Sequence, residues 1–259
     1  MLGAERIDHL TQRLRTDGTL VAKDIAAELG ISEDSVRRDL REMAARGLCQ
    51  RVYGGAVPVS PALADYGTRT GVEPVSKQRV AARAATLLQP GSTVILDGGT
   101  TTLAVVAALP ADLACTVVTH SPTIAAALVP HPLVEVLLIG GRLFKHSAVA
   151  CGAAAAEAAS AVSADLFLLG VTGVHATEGF TTGNADEAAM KRLLASRAAD
   201  TYVLASREKV GVASRHRVLP LGGVTGVVTD VDPADDTLVT VAAAGVEVVA
   251  AAGRQRTQR

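Results

Sequence analysis

The sequence predicts an α/β protein in two unequal parts, a small helical unit closed by a hairpin and a larger, mostly parallel sheet with helices on both faces. Three observations predict it. Residues 1–57 carry three apolar stripes at helical spacing, then two short β-rich runs around a Gly-Gly turn. From Ser76 onward seven short apolar runs alternate with helical stretches, the pattern of parallel strands buried on both faces. Between the parts lies PVSPALADYGTRTGVEP, with three prolines and little periodicity, which reads as a linker over residues 58–75.

The elements follow in order. Ile7, Leu10 and Leu14 mark the inner face of a first helix, broken by DGTL at residues 17–20. Val21, Ile25 and Leu29 repeat every four residues on a second helix that Gly30 terminates. Ser32 is the N-cap of a third, whose buried stripe is Val36, Leu40 and Met43 and whose stop is Gly47. Residues 48–52 read as a strand, Gly54-Gly55 as its turn and Ala56-Val57 as the return. The seven later runs are STVILD, CTVVT, VEVLLIGG, ADLFLLGV, DTYVLA, VTGVVTD and VEVVAA. Helices are expected at 77–89, 101–109, 122–129, 185–199 and 233–244, with the larger domain spanning 76–252 and a polar tail at 253–259.

Composition narrows the function classes. Of 259 residues 49% are hydrophobic and 20% charged, enough for a large core. Aromatics are only 2%, which argues against base-stacking platforms for single strands. The net charge of -1 points to no partner, so any nucleic-acid contact must come from a local patch. Cys49, Cys115 and Cys151 have neither disulfide nor zinc spacing and read as buried thiols in a reducing compartment. No apolar run approaches the roughly 20 residues of a membrane span. The charged start lacks an apolar signal core, and the expected location is cytoplasmic.

The local patch is the third helix. With Val36, Leu40 and Met43 inward, Ser35, Arg37, Arg38 and Arg41 fall on the open side and shoulders. Residues 35–51 hold five arginines against Asp39 and Glu42, although residues 1–57 as a whole are neutral. Arginine forks onto guanine in the major groove or pairs with phosphate, and Ser32 offers a hydroxyl and a helix start. The bland alternative is a solvated helix with i,i+4 pairs such as Arg38–Glu42. The preceding helix, the Gly turn and the following CQRVYGGAV hairpin favour a helix-turn-helix with a wing, where Arg51 and Tyr53 reach flanking backbone. For Tyr53, packing within the wing is the equal alternative.

The run DIAAELGISEDSVRRDLREMAARGLCQRVYGGAV, residues 24–57, resembles the winged helix-turn-helix of the DeoR family of bacterial transcriptional repressors. SVRRDL and RVYGGA carry the resemblance, with Tyr53 where His is frequent. The resemblance implies that Ser32, Ser35, Arg37, Arg38 and Arg51 contact double-stranded operator DNA. Arg41 is added from the helix geometry.

The larger part holds a second site. VILDGGTTT, residues 94–102, ends a buried strand, turns through two glycines and opens a helix with three threonines. Glycines permit close approach of backbone, helix-start N–H groups favour an anion, and Asp97 is placed to accept from sugar hydroxyls. Without a following Gly-Lys-Ser/Thr it is no Walker A loop. VTHS, IGG, the long loop and helix of residues 170–192 and ASREKVG fall at the same strand ends, where doubly wound sheets bind ligands. Lys209 lies beside this anion site, whereas Glu187 and Lys191 have the spacing of an ordinary helix salt pair and Asn184 that of a cap.

This part also resembles the DeoR family throughout, through DGGTTT, GFTTGNADEAAMKR and the KVG after LAS. Its effector domain is similar to the ribose 5-phosphate isomerase fold and senses phosphorylated sugars or related metabolites. The resemblance implies a pocket lined by Asp97, Gly98, Gly99, Thr100, Thr101, Thr102 and Lys209, with Glu187 and Lys191 beside them. His120 stands where Asn is common and Ser206 where Asp is common.

An isomerase-like enzyme with an accessory helical domain is the alternative. It needs a carboxylate base and a second proton-moving group. The loop after the middle strand has no aspartate, only His175 and Glu178. The expectation is a homo-oligomeric regulator, dimeric or tetrameric, that represses a sugar or carbohydrate-catabolism operon, with no catalytic residues, no cofactor and no metal. A protein-binding role for the N-terminal helices is the third class.

Overall fold

A computed structural model describes residues 3–251, so the expected tail at 253–259 lies outside the described residues. The N-terminal unit is α1 (Gly3–Asp17), β1 (Leu20–Val21), α2 (Ala22–Leu29), α3 (Glu33–Ala45), β2 (Gln50–Val52) and β3 (Gly55–Val57). Ile7, Leu10, Leu14, Ile25, Val36, Leu40 and Met43 form its core, as their spacing predicts. Gly30 caps α2 in the left-handed conformation, and the Ser32 hydroxyl accepts from the Ser35 N–H at the start of α3. One assignment is corrected. Val21 is not on the second helix but in β1, where its side chain is exposed and its neighbour Leu20 is buried. The strand pairs with β3 to complete a three-stranded wing.

The stretch expected as a linker is ordered structure. Pro61–Leu63 form a 3-10 turn and Tyr66–Thr70 form α4, capped by Asp65. Ser60 is buried and donates to the Thr172 carbonyl at 2.5 Å, and Tyr66 N–H donates to His146 O at 2.9 Å. The segment is therefore docked onto the larger unit, and α5 (Pro74–Ala85) starts within it.

The larger unit continues with β4 (Thr93–Leu96), α6 (Thr100–Ala107), β5 (Cys115–Thr119), α7 (Pro122–Leu128) and β6 (Val134–Leu138). A hairpin, β7 (Arg142–Phe144) and β8 (Val149–Cys151), precedes α8 (Ala153–Ser160) and β9 (Ala164–Gly170). Then come β10 (Gly173–His175), β11 (Gly179–Thr182), α9 (Ala185–Ala195), β12 (Ala198–Ala205), β13 (His216–Leu219), β14 (Gly226–Thr229), α10 (Asp236–Ala243) and β15 (Glu247–Ala250). The seven expected runs are the seven strands of one all-parallel sheet, in the order β15-β14-β12-β9-β4-β5-β6.

Alternation along β9 shows why the sheet is apolar on both faces. Phe167 and Leu169 pack with α8, α9 and α10, while Leu166 and Leu168 pack with α5, α6 and α7. Two expectations fail here. Residues 170–184 are not a long loop, because β10 and β11 pair with β13 in an antiparallel sheet. The helix expected over 185–199 stops at Ala195, and Ala198 already belongs to β12. All three cysteines are buried and free.

Candidate functional site

Strand order reverses between β4 and β9, and the cleft lies at their carboxyl ends, as in other open α/β sheets. The turn after β4 is built from close backbone approaches. A Cβ on Gly98 would stand 2.1 Å from Val149 Cγ1, and Gly99 takes φ 131°, which side-chain-bearing residues rarely adopt. Thr100 then opens α6, leaving its first N–H groups facing the cleft. Gly98, Gly99, Thr100, Thr101, Thr102, Glu187, Lys191 and Lys209 line it together, as the sequence leads one to expect.

Asp97 is corrected. It does not line the cleft but lies beneath it, fully buried, with every carboxylate oxygen engaged. Oδ1 accepts from Gly98 N–H at 2.8 Å and faces His120 Nε2 at 2.9 Å; Oδ2 accepts from Gly170 N–H at 2.8 Å and from Lys191 Nζ. Burial pushes this carboxyl up, but Lys191 and His120 together overcome it and hold it down at about 2. A carboxylate so occupied cannot accept from a sugar hydroxyl without breaking the turn. His120, whose Nδ1 faces Ala150 O at 2.8 Å, supports Asp97 from behind.

Lys191 is likewise not paired with Glu187. It reaches across the sheet end to Asp97 and the Gly170 carbonyl, the latter at 2.9 Å. Lys209 is buried and donates to Thr101 Oγ1 at 2.8 Å and Leu204 O at 3.2 Å. Burial pulls its pKa down from 10.5 to about 8, with Glu208 opposing and Lys77, Arg69 and Lys191 assisting. Asn184 caps α9 by accepting from Asp186 and Glu187 N–H groups.

Sequence reasoning missed half the wall. Arg69 of α4 and Lys77 of α5 bring the lining cations to four, against the carboxylates of Glu187 and Glu208. Arg69 Nε and Nη2, Thr102 Oγ1 and Glu208 Oε2 are buried without a protein partner. Arg69 stacks its guanidinium over the Tyr66 ring, 5.9 Å from the centroid, while its carbonyl accepts from Lys77 Nζ at 2.6 Å. Buried donors without partners are rare, and here they converge where an anion's oxygens would satisfy them. The missed signal was the arginine within TRTGVEPVSK, set aside because the stretch read as linker.

The isomerase candidates face elsewhere. His175 shares a cleft with Gly54 and Tyr53 of the wing, and Glu178 pairs with Arg217 at 3.4 Å. Neither lines the cradle.

On the N-terminal unit α3 presents its arginines outward. Asp39 is withdrawn from that face, buried and held in a bidentate pair by Arg6, at 2.5 and 2.9 Å. Arg37 pairs with Glu33 at 2.7 Å, and Glu42 lies nearest Arg46 at 3.7 Å rather than Arg38. Among the described residues Arg38, Arg41 and Arg51 make no side-chain hydrogen bond or ion pair, and all three are exposed. Ser32 and Ser35 place their hydroxyls 3.0 Å apart at the helix start. Tyr53 is 101% exposed, so it does not pack within the wing.

Residues 6–62 match the profile of the DeoR-like helix-turn-helix domain, and residues 73–231 that of the DeoR C terminal sensor domain. The chain belongs to the DeoR family of transcriptional regulators. This DeoR-family regulator is 34% identical to the HTH-type transcriptional regulator GlpR of Haloferax volcanii, over 96% of its own length and 98% of the relative's. It is 30% identical to the deoxyribose operon repressor of Escherichia coli K12, over 90% of this chain and 92% of that protein. With the HTH-type transcriptional repressor GlcR of Bacillus subtilis it shares 29% identity over 89% of each chain. Among solved structures, ribose 5-phosphate isomerase A of Methanocaldococcus jannaschii matches 52% of this chain and 53% of its own, at 15% identity and a TM-score of 0.39. The DeoR-family regulator is thus a DNA-binding protein with a separate sensor domain. None of its described helices is long and apolar enough to cross a membrane.

Proposed function

We propose that this regulator represses a carbohydrate-catabolism operon and releases its operator when a phosphorylated sugar enters the cradle. One observation carries the reading. Arg69, Lys77, Lys191 and Lys209 converge on a glycine-threonine turn with unpartnered buried donors, on the same chain as an exposed arginine helix. The phosphate oxygens take the helix-start N–H groups, the threonine hydroxyls and the lysines. Glu187, which lines the cradle and the chamber next to it, remains to accept from sugar hydroxyls, the role Asp97 cannot fill. Relatives named as sugar-operon repressors lend support.

In this reading Arg37, Arg38 and Arg41 enter the major groove, while Ser32, Ser35, Arg51 and Tyr53 hold phosphates. A dimer or tetramer in the cytoplasm sets two such helices about 34–36 Å apart on an operator with two half-sites. The effector binds one arrangement of the domains better than the other, worth about 1–3 kcal/mol of operator affinity.

The test is genomic footprinting followed by fluorescence anisotropy on the recovered duplex, titrated with a panel of sugar phosphates. One sugar phosphate raises the melting temperature and releases the duplex. A ligand that stabilises the protein and leaves operator affinity unchanged removes the switch. Incubation with ribose 5-phosphate gives no ketose, since His175 and Glu178 lie outside the cradle; turnover would restore the enzyme reading.

A further inference from the structure

The cradle is too small for a whole sugar. Its free volume is about 30 Å³. A single water needs about 10–15 Å³ on the same measure, so the cradle takes a phosphate-sized group with no carbon chain behind it. The cleft does not end there. Ala62, Arg69, Ser147, Thr172 and Glu187 also line a second chamber of about 390 Å³. That volume falls within the range of small-ligand sites, about 300–1,000 Å³. The far wall of this chamber belongs to the DNA-binding domain: Ala44, near the end of the recognition helix α3, then Gly47 and Gln50. Val59, Leu63 and Phe144 give it apolar walls, with Asn184 and Arg215 as polar groups.

We infer that the effector binds with its phosphate in the cradle and its carbon skeleton in this outer chamber, against the end of the recognition helix. The inference rests on the phosphorylated effector proposed above and names which end of it carries the signal. Phosphate supplies anchorage; the skeleton contacts the DNA-binding domain and sets its position. Arg69 stands at the junction. It lines both chambers, its Nε and Nη2 have no protein partner, and it sits on the segment that joins the domains. An anion bound to Arg69 pins that segment, and a skeleton behind it wedges against residues 44–50. A ligand can shift such an equilibrium only through contacts that differ between the two states, and the interdomain wall is where they differ.

The experiment uses the full chain and two probes, inorganic phosphate and the sugar phosphate selected from the panel. Val59→Trp and Gln50→Trp both fill the outer chamber and leave the cradle lining intact, since neither residue lines the cradle. Titration calorimetry and duplex anisotropy are read on the wild type and both variants. Each variant keeps the wild-type affinity for inorganic phosphate and binds the sugar phosphate at least about tenfold more weakly, the scale set by losing a few ligand atoms' contacts. Inorganic phosphate occupies the wild type without releasing duplex, whereas the sugar phosphate releases it. Wild-type sugar-phosphate affinity in both variants, with duplex binding retained as the sign of a folded chain, overturns the inference and leaves the cradle standing. Release of duplex by inorganic phosphate alone overturns it as well. Failure of the wild type to bind either probe removes the proposed function itself.

Discussion

At the scale of single residues, burial decides the roles in the cradle. Asp97 was legible as the acid at a strand end, yet its partner Lys191 lies 94 positions away, and only the fold reveals that the two neutralise each other. Arg69 was hidden by its setting, because a proline-bounded stretch without periodicity gives no sign that it docks against the sheet ends. Lys209 gives the sharpest chemical prediction. Its pKa, pulled down to about 8, means that the free cradle loses one cation as the pH rises through 8. A bound anion favours the charged lysine, so affinity is full below that pH and falls above it. The sign for folding is the reverse: between about 8 and 10.5 the unfolded chain binds the proton that the folded chain has shed, so stability rises with pH there. Calorimetric titration of inorganic phosphate at neutral and alkaline pH checks the first statement. Lys209→Met lowers affinity at neutral pH by about 1.5–3 kcal/mol, the worth of a hydrogen bond to a charged group, and flattens the decline. An unchanged decline in the variant assigns the titration to another group.

At the scale of elements, short apolar runs bounded by turn residues proved sufficient for the main sheet, since a strand buried on both faces is apolar throughout. The smaller sheet was not legible because its strands are short and β11 pairs with β13, more than thirty positions away. Val21 was misplaced for a related reason. Its spacing from Ile25 suits a helix, but its pairing with Gly55 is non-local. The helix α3 was legible almost entirely, because caps, stripe and arginines all lie within one local run. Its charges now separate into two kinds. Arg37 is partnered by Glu33, whereas Arg38 and Arg41 are free of side-chain partners among the described residues. Arg38→Ala and Arg41→Ala therefore each weaken operator binding by about 1–3 kcal/mol if they read bases, with relaxed sequence preference. If they hold phosphates instead, binding weakens alike on all duplexes and the salt slope drops by about one. Anisotropy on operator and scrambled duplexes over a range of salt separates the two, and unchanged affinity in both variants removes α3 from the interface.

At the scale of the whole molecule, the oligomer proposed above needs a surface on which two chains meet, and the sheet offers one at an edge. The strand β6 is an outer strand of the seven, with one backbone row unpaired among the described residues. Leu137 and Leu138 on it are 48% and 49% exposed, and Val129, Leu133 and Leu143 beside it are exposed as well. Edge strands of soluble proteins are normally blunted by charge, proline or a covering element, and apolar patches of this kind mark contacts between chains. A second copy of the chain meeting this edge about a two-fold axis covers both patches at once, because such an interface uses the same surface twice. It also leaves the cradle open, since the cleft lies at the carboxyl ends of β4 and β9, in the middle of the sheet. Leu138→Lys places a desolvated charge in that contact on each side. Sedimentation equilibrium then shows the variant as a monomer at concentrations where the wild type is a dimer or larger. Its affinity for a full operator drops to that for a single half-site, while its affinity for inorganic phosphate is unchanged. A variant that sediments as the wild type does would move the association surface elsewhere, to a face other than the β6 edge.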